Sequence, residues 1–302
     1  MPAETVLIIG LGEIGYTLFA LYVDAKEKFA VYGLDLDKEK MEALGQSKDR
    51  VPAKVDILQV CLPCDSPEKF VSIIKGYVEQ YKPNLTIINS TVPPGTTLKV
   101  AEYCKCLVAH SPARGVHINA EHMVWEMKRW TKYVGGASRE AGAAAKEHFE
   151  KLGLKVKTLK SCRETELAKL FETTYRAWMI ACFQEMHRIS RTFGADFDEA
   201  VDFLEDTHRE RFDRPVMFPG VIGGHCLIPN TELLLKSYDS EFLRLILKSN
   251  EKRKEEIKDP TVKAEADKVA VRAIKLEKQI AGPKNVVLDV KDLRNAHKPF
   301  QK

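Results

Sequence analysis

The stretch TVLIIGLGEIG near the N-terminus limits the possible folds more than any other part of this chain. A short aliphatic run ends in Gly10, Gly12 and Gly15, and the apolar YTLFALYV that follows has the character of a helix. Strand, tight turn and helix with G-x-G-x-x-G spacing make a turn whose backbone can approach a pyrophosphate, with the helix N-terminus facing the phosphates. A second strand, FAVYGLDLD, ends in Asp35, placed to accept hydrogen bonds from a ribose hydroxyl. Gly10, Gly12, Glu13, Ile14, Gly15 and Asp35 are therefore expected to bind NAD, since an acid would repel the 2′-phosphate of NADP; Lys38 and Lys40 pull the other way. The competing reading is a turn that is merely glycine-rich, and the position between strand and helix argues against it.

Further runs of strand length recur at VDILQVCLP, LTIINSTV, KCLVAHSP and KYVGGAS, with helix-compatible segments between most of them. That alternation predicts an α/β fold: a Rossmann-type, doubly wound parallel sheet over residues 1–160. From Arg163 the texture changes. RETELAKLFETTYRAWMIACFQEMHRISRTFG keeps apolar or small residues at helical spacing up to Gly194 and predicts a long bridging helix. DFDEAVDFLEDTHRERF, TELLLKSYDSEFLRLILKSNEKRKEEIK and TVKAEADKVAVRAIKLEKQIA predict an all-helical domain over 161–280, and 281–302, with Pro283 and Pro299, reads as a tail.

With 302 residues, 44% hydrophobic and 30% charged, the chain can build two cores. A net charge of +4 is too mild to select nucleic acid as a partner. No apolar run reaches membrane-spanning length, so no membrane partner is expected. Seven cysteines without a secretory leader point to free thiols in a reducing, cytoplasmic setting. Cys61-x-x-Cys64 and Cys104-x-Cys106 have metal-like spacing. However, Cys64 falls past the end of its strand while Cys104 and Cys106 precede theirs, which puts the pairs at opposite edges of a parallel sheet, and no metal is expected. Cys226 stands apart, after Gly223, Gly224 and His225, where backbone can approach a ligand and an imidazole adjoins the thiol. A small buried loop residue is the plain alternative.

PGVIGGHCLIPN resembles the cysteine loop of the UDP-glucose/GDP-mannose dehydrogenase family, P-G-x-G-x-G-G-H-C-I-P. LIIGLGEIG, VYGLDLD, NSTVPPGTT, HSPARG and ETELAKLFETTYRAWMIACFQEM are similar to further family segments in the same order. The resemblance implies NAD-dependent oxidation of a nucleotide-sugar alcohol to the acid, with Cys226 as nucleophile, Lys169 as oxyanion cation and Thr91 positioning water. Leu62, Pro63, Ser90 and Thr91 join the implied cofactor-binding set; His225, Asn230 and Thr173 join the implied catalytic set.

Three positions depart from the family pattern. Ala113 stands where the family has glutamate, Thr173 where it has asparagine and Asn230 where it has aspartate. His117 is a candidate substitute base, though an ordinary loop histidine is the commoner case. No second β-α-β series follows the helix expected to start near Thr231, whereas the family carries a C-terminal Rossmann-like domain. Three readings therefore stand: a dehydrogenase with an altered small-molecule substrate, a non-catalytic NAD-binding partner, and a protein that holds a cofactor by the Cys226 thiolate. The resemblance also implies a homodimer through the bridging helix, burying Trp178, Ile180 and Phe183 or their immediate neighbours.

Overall fold

The structure, a computed structural model, describes residues 3–115 and 120–281. His117 and residues 282–302, which hold nearly all of the expected tail, lie outside the described residues. The chain divides into two compact units, one ending at Leu170 and the other beginning at Phe171, so the division falls inside the long helix, ten residues past the expected boundary at 160.

The first unit contains strands β1 (Glu4–Ile9), β2 (Phe29–Leu34), β3 (Ile57–Val60), β4 (Leu85–Ile88), β5 (Leu107–His110), β6 (Lys132–Gly136) and β7 (Val156–Thr158). Between them run helices α1 (Glu13–Asp24), α2 (Lys38–Ala43), α3 (Pro67–Tyr81), α4 (Thr96–Tyr103), α5 (Ala120–Arg129) and α6 (Arg139–Lys151). The strand order is β2-β1-β3-β4-β5-β6-β7. Alternation along β1 sorts the core: Val6 and Ile8 pack with Leu18, Tyr22 and Phe149, while Leu7 and Ile9 pack with Phe70, Ile74 and Val100. The sheet is thus covered on both faces, the α/β architecture expected from the sequence.

Two features differ from expectation. β6 runs antiparallel to β5, so the sheet is mostly rather than wholly parallel. An apolar run of strand length carries no direction; the end from which the connection enters sets it. β7 was not anticipated, because VKT is short and mainly exposed.

Helix α7 (Cys162–Thr192) begins in the first unit and continues into the second, ending before Gly194, whose φ of 67° only glycine adopts without strain. The second unit adds α8 (Phe197–Arg211), α9 (Leu227–Ser237), α10 (Glu241–Glu256) and α11 (Pro260–Ala281). Asp196 caps α8 by accepting the backbone N–H groups of Asp198 and Glu199. Phe183, Phe197, Val201, Val216, Val269 and Leu276 form a core of this unit. The expected helix near Thr231 starts four residues earlier, at Leu227, because Pro229 lies in the first turn, where its missing N–H costs nothing. It then breaks at Tyr238–Ser240, and Ser240 caps α10. Ile180 and Phe183 are already buried in the single chain, which corrects their assignment to a dimer face; the exposed residues of α7 include Phe171, Tyr175 and Cys182.

Candidate functional site

The glycine turn has the geometry its spacing implied. Gly10 sits at φ 85° under the Cys61 carbonyl, which a Cβ would meet at 2.6 Å. A Cβ at Gly15 would collide with the Gly10 carbonyl oxygen, so these two glycines are required by the turn itself. Gly12 is the N-cap of α1 and faces open space, with Glu13 and Ile14 as the first helical residues. Asp35 directly follows β2 and folds back: one carboxylate oxygen accepts the Leu11 N–H at 2.6 Å and the other accepts the Asp37 N–H at 2.9 Å. Asp35 also lines a pocket of about 580 Å³ together with Leu36, Met41, Ile73 and Tyr77. An open helix N-terminus beside a carboxylate-rimmed pocket fits a dinucleotide.

Leu62 and Pro63 follow β3, and Ser90 and Thr91 follow β4, so all four sit at the C-terminal edge of the sheet with the glycine turn. The Ser90 hydroxyl is buried without a hydrogen-bond partner among the described residues, an orphan that a ligand group could satisfy. Three buried side chains hold this segment. His110, at the end of β5, lies 3.0 Å from the Ser90 carbonyl through Nε2 and 2.8 Å from the Thr165 hydroxyl through Nδ1. Burial, reinforced by Lys132 and Lys169, pushes its pKa down to about 3, so the neutral ring donates from Nε2 to the carbonyl. Glu166, one helical position on, accepts the backbone N–H of Gly95 at 2.7 Å and of Thr97 at 2.8 Å, capping α4. Its pKa is raised because burial outweighs those bonds.

Lys132 is the third. Its ammonium donates to the Ser111 carbonyl at 2.7 Å, the Asn89 side-chain oxygen at 3.2 Å and the Pro112 carbonyl at 3.4 Å. Asn89 in turn donates to Gln59, and Gln59 to the Tyr22 hydroxyl, a polar chain through the core. Burial pushes Lys132 down to about 7, with Cys61 opposing the effect and Lys169 and Arg114 adding to it; its three acceptors match the three protons of the charged form. Lys169 is half-buried on α7. Ala113 is packed in the core with Met127 and Val134 and supplies no base. The buried Glu126 carboxylate of α5 lies against Gly115, close in sequence to that alanine.

In the second unit Cys226 occupies the N-cap position of α9, after Gly224 at φ 82° and the exposed His225. Its loop is held at two places. Gln184 of α7 donates to the Gly220 carbonyl at 2.7 Å. Asn250 of α10 accepts the Ile222 N–H at 2.7 Å and donates to the Ile222 carbonyl at 3.2 Å. Both clamps are fully buried. Asn230, one turn into α9, donates to the Thr173 hydroxyl at 3.3 Å, so two of the departures from the family pattern contact each other.

Sequence reasoning passed over His110, Glu166, Lys132, Gln184 and Asn250. The available signal was a polar residue at an apolar-phase position of a strand or helix, which composition alone does not expose. All seven cysteines are free, and no cluster of three or more metal-ligating side chains exists among the described residues. Among those residues no helix is long and apolar enough to cross a membrane.

Residues 163–252 match the model of the UDP-glucose/GDP-mannose dehydrogenase family, central domain. The UDP-N-acetyl-D-mannosamine dehydrogenase of Methanocaldococcus jannaschii is 28% identical over 287 residues, an alignment covering 82% of this chain and 65% of that protein. The chain thus spans about two thirds of the length of this curated relative. The structure of UDP-D-ManNAc dehydrogenase from Pyrococcus horikoshii superposes with a TM-score of 0.67 at 23% identity, over 83% of this chain and 69% of that one. Mycobacterium tuberculosis 3-hydroxyisobutyrate dehydrogenase shares the fold at a TM-score of 0.63 and 17% identity, over 85% of this chain and 95% of that one. Over residues 163–252 the chain is thus similar to the central domain of the UDP-glucose/GDP-mannose dehydrogenase family.

Proposed function

We propose that the chain is an NAD-dependent dehydrogenase that oxidises an alcohol of a nucleotide sugar or related small molecule, with Cys226 as covalent nucleophile. The observation that carries this reading is the clamped loop: Gln184 and Asn250 fix residues 220–222 so that Cys226 opens α9, at the positive end of a helix. Gly10, Gly12, Glu13, Ile14, Gly15, Asp35, Leu62, Pro63, Ser90 and Thr91 would hold NAD, which when bound supplies the acceptor for hydride. Cys226 would add to an aldehyde carbon, with the Lys169 ammonium pairing the oxygen and Asn230 and Thr173 orienting it. Neither Ala113 nor Asn230 can take a proton from water, so hydrolysis of an acyl thioester is the slow step.

C226S tests this with UDP-N-acetylmannosamine and NAD: acid formation should be lost while NAD affinity stays within about twofold, because Cys226 is not part of the proposed dinucleotide set. Intact mass of the wild type should show an acyl adduct that trypsin maps to Cys226. An unmodified Cys226, with acid formation equal in C226S, would remove the nucleophile. The loss of carboxylates at 113 and 230 favours a second reading, a non-catalytic NAD-binding partner protein, and that outcome combined with intact NAD binding would select it.

We propose further that the protein is a homodimer through α7. Phe171 and Tyr175 are 56% and 61% exposed, and on α10 Phe242, 46% exposed, packs against Trp178 in a tilted arrangement with ring centroids 3.8 Å apart. Monomers cannot cover that face, whereas a two-fold contact between helices can. Light scattering should give the mass of two chains at micromolar concentration, and Y175E should shift it toward one; a wild-type monomer would refute the assignment.

A further inference from the structure

We infer that Cys104 and Cys106 form an oxidisable dithiol, a modification site at which a hydroperoxide converts the pair into an intrachain disulfide. The inference is independent of the proposed catalytic activity. Cys104 closes α4, its N–H bonded to the Val100 carbonyl, and the chain bends at Lys105 and Cys106 before β5 begins. In a straight strand, residues two apart are separated by about 6.6 Å, at the outer limit for a disulfide, and a bend shortens that span. The two side chains adjoin closely enough to shift each other's titration in opposite directions. The Thr86 hydroxyl of β4 lies 3.3 Å from the Cys106 sulfur. Both cysteines are half-buried, at the sheet edge opposite the glycine turn.

The two sulfurs are unequal. The Cys104 side chain pushes Cys106 down to about 7 and is itself pushed up by Cys106; Lys75 and Glu79 of α3 act on Cys104 with opposite signs. Burial pushes Cys61 and Cys64 up to about 12 and Cys162 to about 11. Near neutral pH, Cys106 therefore carries far more thiolate than those three.

The Cys106 thiolate attacks the terminal oxygen of the hydroperoxide. The O–O bond breaks, an alkoxide or hydroxide leaves and takes a proton from water, and Cys106 becomes the sulfenic acid. The Cys104 sulfur then attacks the Cys106 sulfur, its proton leaves with the hydroxyl as water, and the S–S bond forms. Two sulfurs are oxidised by one electron each, and the peroxide O–O bond is reduced.

Trypsin reports the product directly, because it cuts after Lys105. The full chain is exposed to hydrogen peroxide at pH 7, quenched with N-ethylmaleimide and digested without reductant. VAEYCK and CLVAHSPAR should be recovered joined, lighter by two hydrogens than their sum, and separable by dithiothreitol. In C104S the Cys106 sulfenic acid should persist and be captured by dimedone; in C106S capture at Cys104 should be lost. Two separate maleimide-labelled peptides from the treated wild type would overturn the inference, as would dimedone capture at Cys104 in C106S equal to that at Cys106 in C104S.

Discussion

Replacing Glu166 tests how the first unit holds its cofactor edge. The carboxylate has no exposed surface and takes both the Gly95 and Thr97 N–H groups, so E166A leaves two backbone donors unmet at the N-terminus of α4. Hydrogen bonds to a charged partner are worth about 1.5–3 kcal/mol each. Relief of the buried charge returns part of that sum, so the expected net loss is about 3 kcal/mol, and E166Q, with one acceptor left, should lose about half as much. At about 2–4 °C per kcal/mol, the first unit's melting transition in E166A should fall by about 6–12 °C. The pH dependence is diagnostic. Burial raises the Glu166 pKa above 4.5, so the folded state holds the proton more tightly than the unfolded chain. The resulting stabilisation is complete below pH 4.5 and lost as pH rises through the folded-state value. The gap between wild type and E166Q, measured by scanning calorimetry, should therefore narrow as pH rises from 4.5. An E166A transition within about 1 kcal/mol of wild type, or a gap that widens with pH, would refute the capping role.

Other outcomes follow from the two sites. D35N should lower NAD affinity by about 10–100-fold by calorimetry, the value of one charge-assisted bond, and NADP affinity much less; because Asp35 also holds the Leu11 N–H, a smaller loss common to both cofactors is expected. N230D restores a carboxylate that the Thr173 hydroxyl can satisfy by donating, so the variant should fold and should release acid faster than wild type in single-turnover assays; unchanged release would remove residue 230 from water activation. Added NAD should change the iodoacetamide reaction rate of Cys226 and leave that of Cys106 unaltered, because the Cys106 pair lies at the far edge of the sheet; equal protection of both would contradict the separation of the two sites.

Much of the molecule was legible in the sequence because its information is local. The glycine turn follows from steric demands of adjacent backbone, Asp35 from its place at a strand end, α7 from a long unbroken helical period ended by Gly194, and the cysteine loop from consecutive residues. Local pattern is silent on direction and on partners distant in sequence. The reversal of β6, the start of α9 at Leu227 directly after Cys226, and the burial of Ile180 and Phe183 were settled by packing. So were the anchors: Glu166 meets Gly95 across 71 positions, and Asn250 meets Ile222 across 28. A buried polar side chain is stable only where its partner arrives, and that arrival is a property of the folded chain rather than of any window of its sequence.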